Sequence, residues 1–290
     1  MFKKILVATD LSPASDVVLG CLGELRALGV EKVLLLHCLG IRHLEEMKHL
    51  YLPMAEPKIQ EQKAVLAKLG FSVEAEISSG LPKFEINRMA KEKDCSLIVV
   101  GTSGHTMTDE IGLSGVASEV IHQAVKPVLL VRVKMSVARD RERCKMKCGR
   151  IFDHILFPTD FSDNADHAFS QVRKLVKKGV KRVTLMHVQD KVRIGKHLNR
   201  KLEEFNQIDD ERLGRLKSAL TKEGPAKVEL HMPYGSSISE ILKTASGGQV
   251  TLVVMGSQGR GLIREILLGS VSHNVARHAP VSVLLIPAVR

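Results

Sequence analysis

The sequence predicts an α/β architecture: two tandem, doubly wound domains, each built on a five-stranded parallel sheet. Three observations lead there. The chain contains two copies of one pattern, each copy alternates short apolar runs with helical stretches, and a glycine-rich segment follows the fourth apolar run of each copy. Such alternation favours a parallel sheet with helices on both faces.

The repeat is explicit. Residues 5–37 align without a gap on residues 155–187, and 12 of the 33 positions are identical. Ile5-Leu6 matches Ile155-Leu156, Thr9-Asp10 matches Thr159-Asp160, Ser12 matches Ser162, and His37 matches His187. Further on, Gly80 corresponds to Gly235, and Gly101-Thr-Ser-Gly104 to Gly256-Ser-Gln-Gly259. Each copy has roughly 140 residues, an ordinary domain size that can bury its own core. Two copies are too few for a solenoid. The expected boundaries are a first domain at 1–133, a basic linker at 134–150 and a second domain at 151–290.

In the first copy, strands are expected near 4–8, 33–37, 72–77, 96–100 and 128–132. In the second, they fall at Ile155–Phe157, Val183–His187, Val228–His231, Thr251–Met255 and Ser282–Ile286. These are short, apolar and rich in β-branched residues, as buried parallel strands are. Helical patterns fill the gaps of the second copy at about 163–177, somewhere within 193–222, at 237–245 and at 270–277. Strand orders 2-1-3-4-5 and 3-2-1-4-5 both fit this succession. Either places ligands outside the carboxyl ends of the strands, where the winding reverses. In the 3-2-1-4-5 order, Asp160 and Gly256 would face one crevice.

The most informative segment is Gly256-Ser-Gln-Gly259, followed after nine residues by Gly269-Ser270. Glycines at a strand end let a ligand approach the backbone, and a helix N-terminus beyond them favours an anion. It is neither a Walker loop nor GxGxxG, because no Gly-Lys-Ser/Thr and no such glycine triplet is present. Taken together, Ile155-Leu-Phe-Pro158-Thr159-Asp160-Phe-Ser162, Leu185-Met-His-Val188 and Met255-Gly256-Ser-Gln258-Gly259 through Gly269-Ser270-Val271-Ser272 resemble the universal stress protein family. They are similar to its ATP-binding branch, whose G-x2-G-x9-G-S/T pattern the second copy meets in full. The resemblance covers nearly the whole chain. It implies the 3-2-1-4-5 order of the adenine nucleotide alpha hydrolase-like fold, and an adenine nucleotide, ATP or AMP, as ligand, with magnesium as an open companion.

The resemblance implies contacts from Pro158, Thr159, Asp160, Val188, Met255, Gly256, Gln258, Gly259, Gly269, Ser270, Val271 and Ser272. Asp160 would meet the nucleoside and Val188 would flank the adenine. Each has a bland alternative. Asp160 suits a strand-to-helix turn, Val188 suits core, and Ser270 and Ser272 suit the first turn of a helix. For His187 and its counterpart His37, a hydrogen-bonded structural role outweighs a ligand role. Asp10, Cys38, Gly101, Gly104 and Gly115 would form a weaker second site in the first copy. There the glycine spacing is ten rather than nine, Val116 replaces Ser270, and Asp109 and Glu110 stand where the second copy has Arg260, Arg264 and Glu265. Two acids would repel a polyphosphate, so the first copy reads as a degraded site.

Composition narrows the rest. The net charge is +11, of which Arg132 to Arg150 supplies +6 from eight basic residues against Asp140 and Glu142. With no tryptophan and only Tyr51 and Tyr234 to stack on bases, a solvated basic helix or loop is the better reading, and nucleic acid is disfavoured as a partner. Five cysteines, an odd number without repeat symmetry, read as free thiols in a reducing cytosol. Cys144-x3-Cys148 has no second pair of ligands to complete a zinc site, so no metal is expected there. Met1-Phe-Lys-Lys runs straight into a strand, leaving no room for a signal peptide, and no apolar run is long enough for a membrane span. No catalytic residue is assigned. The expectation is a cytoplasmic, nucleotide-responsive signalling module in stress, homodimeric, with its two domains paired through their last strands. The alternatives are a slow ATP hydrolase or phosphotransferase on the same fold, and a scaffold recruiting an anionic partner through the linker.

Overall fold

A computed structural model describes residues 2–40, 45–102, 113, 115–136, 145–147, 150–189, 202–259 and 268–288. The chain divides into two compact units, Met1–Ile151 and Phe152–Arg290. Gly104, Asp109, Glu110, Cys144, Cys148, Arg260, Arg264 and Glu265, named above, lie outside the described residues.

In the first unit the elements run β1 (Lys4–Thr9), α1 (Pro13–Cys21), α2 (Glu24–Ala27), β2 (Lys32–Leu39), α3 (Glu45–Lys68), β3 (Ser72–Ser79), α4 (Pro82–Glu92), β4 (Leu97–Gly101), α5 (Gly115–Gln123) and β5 (Val128–Val131). Its strands lie in the order β5-β4-β1-β2-β3, all parallel. Two further strands, β6 (Lys134–Ser136) and β7 (Lys145–Lys147), pair antiparallel, with Met135 opposite Met146. This corrects the expectation of a plain helix or loop in the linker: its two ends satisfy their backbone groups by forming a short ribbon.

The second unit repeats the plan: β8 (His154–Pro158), α6 (Asp163–Lys177), β9 (Arg182–Met186), α7 (Leu202–Glu223), β10 (Lys227–His231), α8 (Ser237–Ser246), β11 (Leu252–Gly256), α9 (Ser270–His278) and β12 (Ser282–Ile286). Its order is β10-β9-β8-β11-β12, again all parallel. Counted within each domain, both sheets are therefore 3-2-1-4-5. The reversal lies between strands 1 and 4, which are β8 and β11 in the second domain.

The core follows from the apolar runs. Every residue of β8, β11 and β12 is buried, as strands covered on both faces require. Helix α6 buries Ala165, Ala168, Phe169, Val172, Leu175 and Val176, a stripe at helical spacing. The Phe157 and Phe169 rings, 5.5 Å apart, join β8 to that stripe. Asp163 and Asp166 sit at the positive end of α6, and Lys174 and Lys177 at its negative end. Gly179, at φ +104, then closes the helix, with the Val180 N–H donating to Leu175 O at 3.2 Å. Cys38 and Cys95 are free thiols, whereas Cys21 is disulfide-bonded, which corrects the expectation of free thiols throughout.

Candidate functional site

The crevice begins at the turn after β8. Thr159-Asp160-Phe161-Ser162 must reverse the chain from strand to helix, and it does so with Phe161 at φ +57, a left-handed conformation that is strained for a bulky residue. Local hydrogen bonds hold it. The Phe161 N–H donates to Thr159 Oγ1 at 3.0 Å, and Ser162 donates to Asp160 Oδ1 through its N–H at 3.1 Å and its hydroxyl at 2.6 Å. Ser162 also caps α6, accepting from the Ala165 N–H at 3.3 Å. One carboxylate oxygen of Asp160 is thus fixed by the turn. The bland role expected of Asp160 exists, and it orients the second oxygen.

That second oxygen meets the glycine segment. A Cβ built on Gly259 would fall 2.8 Å from Asp160 Oδ2, a distance no Cβ tolerates. A Cβ on Gly256 would fall 3.1 Å from Asn164 O, where α6 begins. Glycine at both places permits close approach of backbone to the strand-1 turn. The Gly269 N–H donates to Ser257 O at 2.7 Å, which ties the end of the segment back to its start. Ser272, 4% exposed, donates its hydroxyl to Gly256 O at 2.8 Å. The Ser272 hydroxyl therefore braces the loop, whereas Ser270 is exposed at the mouth. Helix α9 opens there with Gly269 as an extended N-cap, no side-chain cap and no acidic residue in its first turn. Its first N–H groups have no partner within the helix and present positive potential to the crevice.

Pro158, Thr159, Met255 and Gly256 are buried at the ends of β8 and β11, while Gln258, Gly269 and Val271 are half-buried and Gly259 is exposed. Val188 is half-buried just beyond β9. His187 does what a strand-end histidine was expected to do: its Nδ1–H donates to Thr159 O at 2.8 Å, bonding strand 2 to the turn. Its ring packs on Phe161 with centroids 4.6 Å apart, and its Nε2 lies 3.4 Å from Asp209 Oδ2. Arg212 pairs with Asp209 at 3.5 Å and sits over the Phe161 ring at 5.3 Å. Sequence reasoning missed Asp209 and Arg212, because α7 was placed only within a long window and neither residue belongs to a motif.

The first domain carries the same turn in a different state. Leu11 sits at φ +58, and His37 Nδ1 lies 2.9 Å from Thr9 O. Asp10 Oδ1, however, accepts from Ser12 N at 3.0 Å and from the hydroxyls of both Ser12 and Ser15 at 2.5 Å. The third donor is lost in the second domain, where Ala165 stands at the position of Ser15. Thr9 Oγ1 donates to Gln62 Oε1 at 2.7 Å, and Gln62 Nε2 donates to Asp16 Oδ1 at 2.6 Å. Gln62 is buried, so α3 supplies this turn with internal partners. A Cβ on Gly115 would meet nothing within 4 Å, and exposed Val116 follows it without a hydroxyl. Gly101 ends β4. Burial pushes the thiol of Cys38, the counterpart of Val188, up to about 12, with the Glu85 charge adding to the shift.

Among the described residues, no group of three His, Cys, Asp or Glu side chains could hold a metal ion, and no helix is long and apolar enough to cross a membrane. A groove of about 730 Å³ lined by Arg173, Gly214, Arg215 and Lys222 shares no residue with the crevice. Arg173 and Arg215 are already paired there, with Glu223 and Glu211.

Comparison with known proteins agrees with this architecture. The model of the universal stress protein family matches twice, over residues 1–132 and 151–287. Universal stress protein MJ0577 of Methanocaldococcus jannaschii is 30% identical over 159 residues, which span 47% of this chain and 98% of that protein. The crystal structure of a universal stress protein from Archaeoglobus fulgidus superposes with a TM-score of 0.72 at 27% identity, covering 98% of this chain and 97% of that one. A Pseudomonas aeruginosa protein of unknown function, at 16% identity and a TM-score of 0.59, shares the fold over 98% of this chain and 92% of its own. With two family matches on two 3-2-1-4-5 sheets, the chain belongs to the universal stress protein family, in its tandem form.

Proposed function

We propose that this protein binds an adenine nucleotide, ATP or AMP, mainly in its second domain, and acts as a nucleotide-responsive signalling module of the cytoplasm under stress. The observation that carries the reading is the meeting of Gly259 with Asp160 Oδ2, where a Cβ would come within 2.8 Å, beside the uncapped N-terminus of α9. A carboxylate that can accept from ribose hydroxyls and a helix end that attracts phosphates border one crevice. In this reading Val188 flanks the base, Asp160 takes the ribose, and Gly256, Gln258, Gly259, Gly269, Ser270 and Val271 surround the phosphates. Pro158, Thr159, Met255 and Ser272 shape the walls.

The first domain is proposed as the weaker site, because Asp10 takes an additional internal donor from Ser15, Thr9 donates to Gln62, and Val116 brings no hydroxyl. Whole chains are proposed to form homodimers, which sedimentation equilibrium measures. Mass spectrometry of nucleotide retained by the purified protein tests the ligand, with and without EDTA to reveal any magnesium. Recovery of ATP or AMP supports the reading. Absence of any retained nucleotide, together with no heat of binding on adding ATP, sinks it. Turnover faster than about one per second would instead favour a true hydrolase or phosphotransferase.

A further inference from the structure

The end of strand 2 in the second domain holds a buried acceptor without a donor. Gln189, directly after Val188, is 3% exposed, and its side-chain oxygen Oε1 has no hydrogen-bond partner. Its Nε2 finds only the weakly accepting sulfur of Met232, at 3.6 Å. Its backbone is fully engaged: the N–H donates to Pro233 O at 2.9 Å, and its carbonyl accepts from the Gly235 N–H at 3.1 Å. These bonds bridge Gln189 to Tyr234. A second buried amide oxygen without a partner belongs to a neighbour of the same tyrosine. Asn206, on α7, donates Nδ2 to the Tyr234 hydroxyl at 2.6 Å, while its own buried Oδ1 has no partner.

Buried amide oxygens are ordinarily paired, and an exception calls for a ligand or a solvent molecule in the working protein. The fold does not require a polar residue here. Leu39 occupies the same strand-end position in the first domain and is simply buried. The carboxyl end of this strand borders the crevice, and His187, two residues earlier, is bonded to the turn that carries Asp160.

We infer that Gln189 is the base-reading residue of the second domain: its Oε1 accepts a hydrogen bond from the exocyclic amine of a 6-aminopurine. This inference rests on the nucleotide reading above and deepens it. A 6-oxopurine turns an acceptor toward Oε1, and flipping the amide to meet it would give up the Nε2 bond to Met232 and set Oε1 against that sulfur. The site then distinguishes adenine from hypoxanthine by polarity rather than by size. Asn206 and Tyr234 form the neighbouring polar wall.

The test is calorimetric titration of the full chain with ATP and with ITP. The wild type binds ATP at least about tenfold more tightly than ITP, the discrimination expected when one buried hydrogen bond is lost. In Gln189→Leu, which installs the residue of the first domain, the ratio falls to within about twofold of unity while ITP binding is retained. Gln189→Glu keeps an acceptor at that position and keeps the preference for ATP. Equal affinity of the wild type for the two nucleotides overturns the assignment but leaves the nucleotide site intact. So does an unchanged ratio in a folded Gln189→Leu protein. Binding of neither nucleotide by the wild type overturns the nucleotide reading itself, and the assignment falls with it.

Discussion

Gly259 and Ser272 show how differently two residues of one loop can serve it. At Gly259 the space for a side chain is already taken by Asp160 Oδ2, so Gly259→Val must displace either the loop or the carboxylate. Abolished ATP binding with the fold retained is the expected outcome, read by calorimetry beside a melting curve. Unchanged affinity in a folded variant would show that this loop does not meet the ligand. Ser272→Ala acts on the protein instead, because its hydroxyl bonds Gly256 O at 2.8 Å in a buried setting. It should lower stability by about 1 kcal/mol. Ser270→Ala, at the exposed helix start, should leave the melting temperature alone and weaken ATP binding by about tenfold. Reversal of these two patterns would exchange the roles. The sequence marked both serines, but only packing separates them, since residues two apart on a helix face different surroundings.

The strands and helices that position the site were legible to different degrees. Strands β8, β11 and β12 were readable because each is a short apolar run between polar segments, and α6 because its buried stripe keeps one helical period. Helix α7 was only bracketed, and α3 runs through Pro53 and Pro57, which ordinarily end or kink a helix. Hence Asp209, Arg212 and Gln62, all on those two helices, went unseen. The ribbon of β6 and β7 was hidden by its charge, which resembles that of any solvated segment. At β8, His154 predicts a pH dependence. It is buried, with Nε2 2.9 Å from Thr184 Oγ1, and burial together with the Arg182 charge holds its pKa below the ordinary 6.5. The native imidazole therefore stays neutral where the unfolded one binds a proton. Stability is fully present above about pH 6.5 and falls as pH drops below it. Denaturant titrations from pH 8 to pH 5 should show this slope, and His154→Gln should flatten it. An equal slope in the variant would assign the effect to other groups.

Across the whole molecule, two domains of one fold carry crevices in unequal states. Asp160 Oδ1 takes two donors, both from Ser162, whereas Asp10 Oδ1 takes three, two from Ser12 and one from the Ser15 hydroxyl. The expected stoichiometry at micromolar ATP is one nucleotide per chain. Asp160→Ala should remove it, whereas Asp10→Ala, which breaks turn bonds only in the first domain, should lower stability and leave the affinity per folded chain within about twofold. Two equivalent sites per chain would show that turn chemistry does not decide occupancy. The left-handed turn itself, at Phe161 and at Leu11, is the same in both copies and rests on its own serine and threonine hydrogen bonds. It needs no ligand to form. After a duplication, a copy released from binding could therefore change its glycine loop without endangering its fold, while a change in the turn would still be punished by misfolding. That history fits the chain, in which Thr-Asp-x-Ser recurs unaltered and the glycine spacing has slipped by one residue.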